Sequence, residues 1–161
     1  MAKTADAEQT LGQYLAERIR RNGPMTFHDW MEAALYDEER GYYRREDLER
    51  WGREGDYRTA PETSVLFAAT FARYFATLFQ NAQEDLTVVE VGAGAGHFAA
   101  GLLDTLSRRY PSLFHRITYL IDEINQHARA RIALRTAKFA PRIQFKRLSE
   151  IDSLNPGIIF A

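Results

Sequence analysis

The residues Glu90-Val91-Gly92-Ala93-Gly94-Ala95-Gly96 begin at the end of a hydrophobic run at 86–91 and precede a stretch of helical period. Three glycines therefore stand where a strand turns into a helix, and a chain without side chains there lets a ligand come close to the backbone. Amides at the start of the following helix can meet an anion such as the carboxylate of a methionyl group. A dinucleotide fingerprint would place its third glycine three positions after the second. That position is His97, and the glycine falls at Gly96 instead, which disfavours a nicotinamide cofactor. The next apolar run, 117–121, ends in Asp122-Glu123. An acid at that point of a doubly wound fold can accept hydrogen bonds from both hydroxyls of a ribose. Either acid could equally cap the helix that begins near Asn125.

These groups must be positioned by the alternation that starts at residue 86. Strand 86–91, helix 96–109, strand 117–121, helix 125–137, a short strand at Ile143 and Phe145, and a fourth strand at 158–160 form the pattern of an α/β fold with a parallel sheet. Both the glycine loop and the acids then lie at the carboxyl ends of strands, the edge where such sheets bind ligands. Upstream, Leu11, Tyr14, Leu15, Arg18 and Ile19 have helical spacing up to Gly23-Pro24. A second helix begins at the N-cap Thr26, presents Trp30, Met31, Ala34 and Leu35, and stops by Gly41. Residues 42–61 read as a long polar loop, of a length that is often a lid or binding loop. Residues 62–81 carry Leu66, Phe67, Phe71, Tyr74, Phe75, Leu78 and Phe79 around most of a helix, which should be largely buried. The chain divides on this reading into a helical extension with lid loop, 1–83, and the first part of a ligand-binding domain, 84–161.

The 161 residues contain no cysteine, which excludes disulfides, thiolate metal sites and a cysteine nucleophile. Basic and acidic residues number 21 and 22, so no global field draws nucleic acid or anionic lipid. No apolar run reaches the roughly 18 residues of a membrane span. The first eight residues show no apolar leader core and include Asp6 and Glu8, so the cytoplasm is the expected compartment. His28, His97, His115 and His127 lack paired ligand spacing, and no metal site is expected. His97 either faces a ligand or is a first-turn residue of the glycine-loop helix. Ser64, Ser107, Ser112, Ser149 and Ser153 lack a nucleophile-elbow context. The arginines at 18, 20, 21 and at 129, 131, 135 are spread by helical spacing and offset by acids. Tyr42, Tyr43 and Trp51 could clamp a flat ligand or anchor the loop to the core.

With its acid-x-Gly-x-Gly-x-Gly motif the sequence resembles a class I methyltransferase, a Rossmann-like fold. More narrowly it is similar to the MidA-type proteins, a family that includes mitochondrial arginine methyltransferases assisting respiratory complex assembly. The resemblance is carried by Gly23-Pro24-Met25-Thr26-Phe27 with Trp30-Met31, by Arg40-Gly41-Tyr42-Tyr43, and above all by Gly55-Asp56-Tyr57-Arg58-Thr59-Ala60-Pro61-Glu62. It implies S-adenosylmethionine as cofactor, bound by Glu90, Gly92, Gly94 and Gly96 of the motif, by Glu123 at the ribose, and by Asp56, Thr59 and Glu62 of a loop lying over it. Pro61 and Glu62 are equally ordinary first-turn residues of the next helix. Tyr57, Ala60 and Asn125 replace the family's phenylalanine and serines. Asp122 stands where an apolar residue is usual, so either Asp122 or Glu123 meets the ribose.

The resemblance also implies methyl transfer to a protein arginine; a cofactor-binding assembly factor without catalysis is the alternative, and an NAD-binding oxidoreductase a more distant one. Family members continue past the fourth strand. The expectation is accordingly of a chain holding about the first half of a member, inactive alone, with an apolar edge strand that invites a homodimer.

Overall fold

The computed structural model describes residues 9–154 and 156–161; residues 1–8, read above as lacking a leader, lie outside them. The chain forms two compact units, Met1–Leu48 and Glu49–Ala161. In the first, α1 (Leu11–Asn22) starts on a reciprocal cap: the Thr10 hydroxyl accepts from the Gln13 amide at 3.3 Å, and the Gln13 side chain accepts from the Thr10 amide at 2.9 Å. Gly23 ends it, and Thr26 caps α2 (Phe27–Tyr36) by accepting from the Asp29 amide at 3.1 Å.

The second unit carries the candidate site. Its strands β1 (Leu86–Val91), β2 (Ile117–Asp122), β3 (Ile143–Phe145) and β4 (Gly157–Phe160) form a parallel sheet in the order β3-β2-β1-β4. Register pairs Val91 with Asp122 and Glu90 with Phe160, so the carboxyl end of β1 lies between its neighbours. Leu86, Val88 and Val89 are buried, as expected of a strand covered on both faces. The helices of this unit are α3 (Ala60–Thr63), α4 (Val65–Leu78), α5 (His97–Arg109), α6 (Pro111–Phe114) and α7 (Gln126–Arg135). α5 buries Phe98, Ala99, Leu102, Leu103 and Leu106 along one stripe, the spacing that a helix laid on a sheet requires.

Three expectations change. The division falls between Leu48 and Glu49 rather than after residue 83, because α4 belongs to the sheet-bearing unit. There Phe67 and Phe71 meet the Phe98 ring of α5 at centroid distances of 5.9 and 5.4 Å. The helix expected over 62–81 is broken at Ser64, whose extended backbone (φ −149°, ψ 124°) ends α3 while its hydroxyl caps α4. Nor is α4 largely buried. Ala68, Ala72 and Phe75 face the core, whereas Val65 and Leu66 are 81% and 71% exposed, and Tyr74 and Leu78 are also at the surface. Ala68 makes the close contact with Gly101 of α5 and Phe67 and Phe71 pack beside it on Phe98, which leaves Val65, Leu66, Tyr74 and Leu78 on the outer faces. Among the described residues no helix is long and apolar enough to cross a membrane.

Candidate functional site

Gly92, Gly94 and Gly96 all have positive φ, at 72°, 55° and 75°, where a side chain is strained. Their missing side chains serve three different ends. A Cβ on Gly92 would meet nothing within 4 Å, so this face of the loop is open. On Gly94 it would lie 3.0 Å from Nε1 of Trp51. On Gly96 it would strike Ile132 of α7, 3.0 Å from Cγ1 and 3.2 Å from Cα. Gly96 thus allows α7 to pack against the loop. Among the described residues the Ala93 and Ala95 amides donate to no protein acceptor, which leaves two donors in the loop for an anion.

The two acids after β2 turn to different places. Glu123 accepts from the Gly94 amide at 3.0 Å and from the Asn125 amide at 2.9 Å, so its carboxylate is tied to the glycine loop. Asp122 accepts from the Leu148 amide at 2.8 Å and pairs with the Arg147 guanidinium at 3.2 Å, beside the 3-10 turn after β3. The helix cap offered by sequence to either acid is provided by Asn125, which accepts from the Ala128 amide at 2.9 Å. Of the two acids, the one beside the glycine loop is Glu123.

A cleft of about 370 Å³ opens at this end of the sheet, within the size range of small-molecule sites. Thr59, Glu62, Glu90, Gly92 and Gly94 line it, together with His97 and an aromatic wall that includes Trp51, Tyr57, Phe67, Phe71 and Phe98. Asp56, Gly96 and Glu123 are not in that lining. Asp56 is exposed, and Glu123 borders a second hollow of about 160 Å³ with Asp122, Arg129, Phe145 and Arg147. Glu62 uses one carboxylate oxygen to accept from the Gly52 amide at 3.1 Å, which fastens the preceding loop. Thr59 is the N-cap of α3 without a side-chain cap bond, and Pro61 occupies the first turn.

Electrostatics single out Glu90. Its burial, with a smaller push from the Glu123 charge, raises its carboxyl to about 7 against the opposing hydrogen bond from Tyr119. The Tyr119 hydroxyl donates to Glu90 at 2.8 Å and is itself held well above its ordinary value by burial and by Glu90. Burial and the neighbouring Arg135 lower His97, whose Nδ1 lies 2.7 Å from the Arg135 guanidinium and accepts from it. His97 is thus a partly exposed first-turn residue of α5 that also lines the cleft. Ile132 carries no mark in the sequence beyond its place on an apolar face. On α2, His28, Asp29 and Glu32 bring a ligand atom each within 4.8 Å of one another, all three exposed to water.

The family model described as "Putative S-adenosyl-L-methionine-dependent methyltransferase" matches residues 70–161, more than half of the chain. The chain belongs to this family. A superfamily member from Burkholderia thailandensis, solved bound to S-adenosyl-homocysteine, superposes with a TM-score of 0.72 at 31% identity, over 89% of this chain and 37% of that one. The mitochondrial protein arginine methyltransferase NDUFAF7 of Bos taurus is 30% identical over 98 residues, which are 60% of this methyltransferase-family chain and 22% of the bovine protein. The Drosophila melanogaster homolog is 28% identical over 109 residues, 66% of this chain and 24% of its own length. The chain spans about a quarter of the curated relatives it matches. Its sheet is accordingly that of an α/β, Rossmann-like methyltransferase, present through the fourth strand.

Proposed function

We propose that this protein binds S-adenosylmethionine over its glycine loop and takes part in methyl transfer to a protein arginine. The observation that carries the reading is the Glu123 carboxylate on the Gly94 amide, at a loop whose Gly92 face is open and whose Ala93 and Ala95 amides have no acceptor among the described residues. The residues present fit the cofactor. Amides at Ala93 and Ala95 would hold a methionyl carboxylate, and Glu123 has lone pairs left for ribose hydroxyls. When bound, the cofactor would supply an electrophilic methyl group on a sulfonium centre. Beside it the chain offers an aromatic wall and the carboxyls of Glu62 and Glu90 in one cleft. Aromatic faces attract cations, and a carboxylate can hold a guanidinium or take its proton, so the cleft suits a cationic acceptor. Positioning and exclusion of water are what such a site contributes to an in-line displacement. The arginine acceptor is supported by the names of the mitochondrial relatives.

Calorimetry tests this reading. S-adenosylhomocysteine is expected to bind at micromolar affinity or tighter, about 8 kcal/mol, and NADH not at all. Glu123→Ala should weaken binding by about 1.5 to 3 kcal/mol, the range for hydrogen bonds to a charged group, and Asp122→Ala by less. Binding of NADH alone, or a greater loss in Asp122→Ala, would overturn the assignment.

A further inference from the structure

Trp51 is the only aromatic residue between Tyr43 and Tyr57, and its segment is fastened at several points. Glu49 receives two hydrogen bonds from Arg131, at 2.8 and 2.7 Å. The Tyr57 amide donates to the Arg50 carbonyl at 3.2 Å, which closes the segment into a loop. That closure needs a glycine at 55, where a Cβ would fall 2.5 Å from the Arg50 backbone. The buried Arg50 places its guanidinium 5.5 Å from the Trp51 ring, and Gly52 is held by Glu62. These fastenings set the indole against Gly94.

We propose that Trp51 is the residue by which segment 49–57 covers and releases the bound cofactor, an inference that rests on the cofactor reading above. Gly94 joins the two parts of the site: its amide is held by Glu123, and it lines the cleft with Gly92. A ribose at Glu123 and a methionyl group at Gly92 must be connected across it. The indole already fills the face of Gly94 that a side chain would have taken, and a ligand atom needs roughly 3.5 Å of its own there. Ring and ligand exclude each other. Ligand entry lifts the indole, and Gly52, at φ 98°, is the neighbour able to absorb the backbone change. Once lifted, the ring becomes the roof of the bound molecule, so it governs how fast the molecule arrives and leaves.

The chain has two tryptophans, so Trp30→Phe leaves Trp51 as the sole reporter. Titration of that variant with S-adenosylhomocysteine should change Trp51 emission with the same midpoint as the calorimetric heat. In Trp51→Ala, association and dissociation measured by surface plasmon resonance should each accelerate about tenfold, and Trp51→Phe should restore slow exchange. Heat of binding with unmoved Trp51 emission, or Trp51→Ala rates equal to those of the parent, overturns the cover and leaves the cofactor reading standing. Absence of heat in the parent overturns the cofactor reading, and the cover with it.

Discussion

Valine at Gly96 is expected to lower folding stability by about 3 kcal/mol or more, whereas valine at Gly92 should cost less stability and weaken ligand binding about 100-fold. At Gly96 two penalties combine. The left-handed backbone, φ 75°, strains a β-branched residue by about 1 to 3 kcal/mol. The added carbons also meet Ile132 at 3.0 Å, including backbone that cannot rotate away, and overpacking of this kind costs about 1 to 3 kcal/mol. At Gly92 only the first penalty applies, because nothing lies within 4 Å. The new side chain instead occupies the open face of the loop, and affinity for S-adenosylhomocysteine should fall about 100-fold, or about 3 kcal/mol. Urea unfolding and calorimetry on both variants separate the effects. Unaltered stability in Gly96→Val, or unaltered affinity in Gly92→Val, would contradict the roles given to these glycines.

The second expected result concerns acidity. Glu90 has its carboxyl raised from the ordinary 4.5 to about 7 in the folded protein, so the folded state holds this proton more tightly than the unfolded chain does. The contribution is therefore fully present below about pH 4.5 and is lost as pH rises through about 7, a total of about 3 kcal/mol. Carboxylates with lowered values, such as Asp104 beside Lys138 and Glu49 beside Arg131, act at lower pH and with the opposite sign. Glu90→Gln keeps the shape of the neutral acid and cannot ionise. The stability difference between variant and parent should then grow in the variant's favour between about pH 4.5 and 7 and level off above it. Denaturant unfolding at a series of pH values reads this directly, and parallel curves for the two proteins would refute it.

The alternation of strand and helix from residue 86 was legible because the apolar period changes between elements, and all four strands fall where that pattern places them. The glycine motif was legible for the same reason: positive φ and close approach restrict the residue type at the loop itself. What escaped depends on contacts between distant residues. An apolar circumference on α4 does not say which side is covered, and the side chosen was the one with Ala68 and Ala72, small enough to approach α5. The break at Ser64 is a single extended residue between two helical turns, too short to disturb the period. Spacing alone left Asp122 and Glu123 equivalent. The strand register separates them, since β2 is paired up to Asp122 and Glu123 is the first residue free to turn back over the loop. The motif that most strongly carries the family resemblance includes Asp56, yet the side chain of this segment that reaches the glycine loop is Trp51, just outside it.

The place of β1 between β2 and β4 has a consequence for amide hydrogen exchange. Its backbone amides are hydrogen-bonded within the interior of the sheet and can meet solvent deuterium only when the sheet itself opens, so they should be among the slowest to exchange. Segment 49–57 contributes no strand to the sheet and can open without disturbing any of its strands. The glycine loop lies at the boundary between these two regimes, anchored on its rigid side by the most protected strand and faced on the other by a labile flap. Occupancy of the site would thus be written in the exchange rates of the flap, against a strand whose own rate serves as the internal clock.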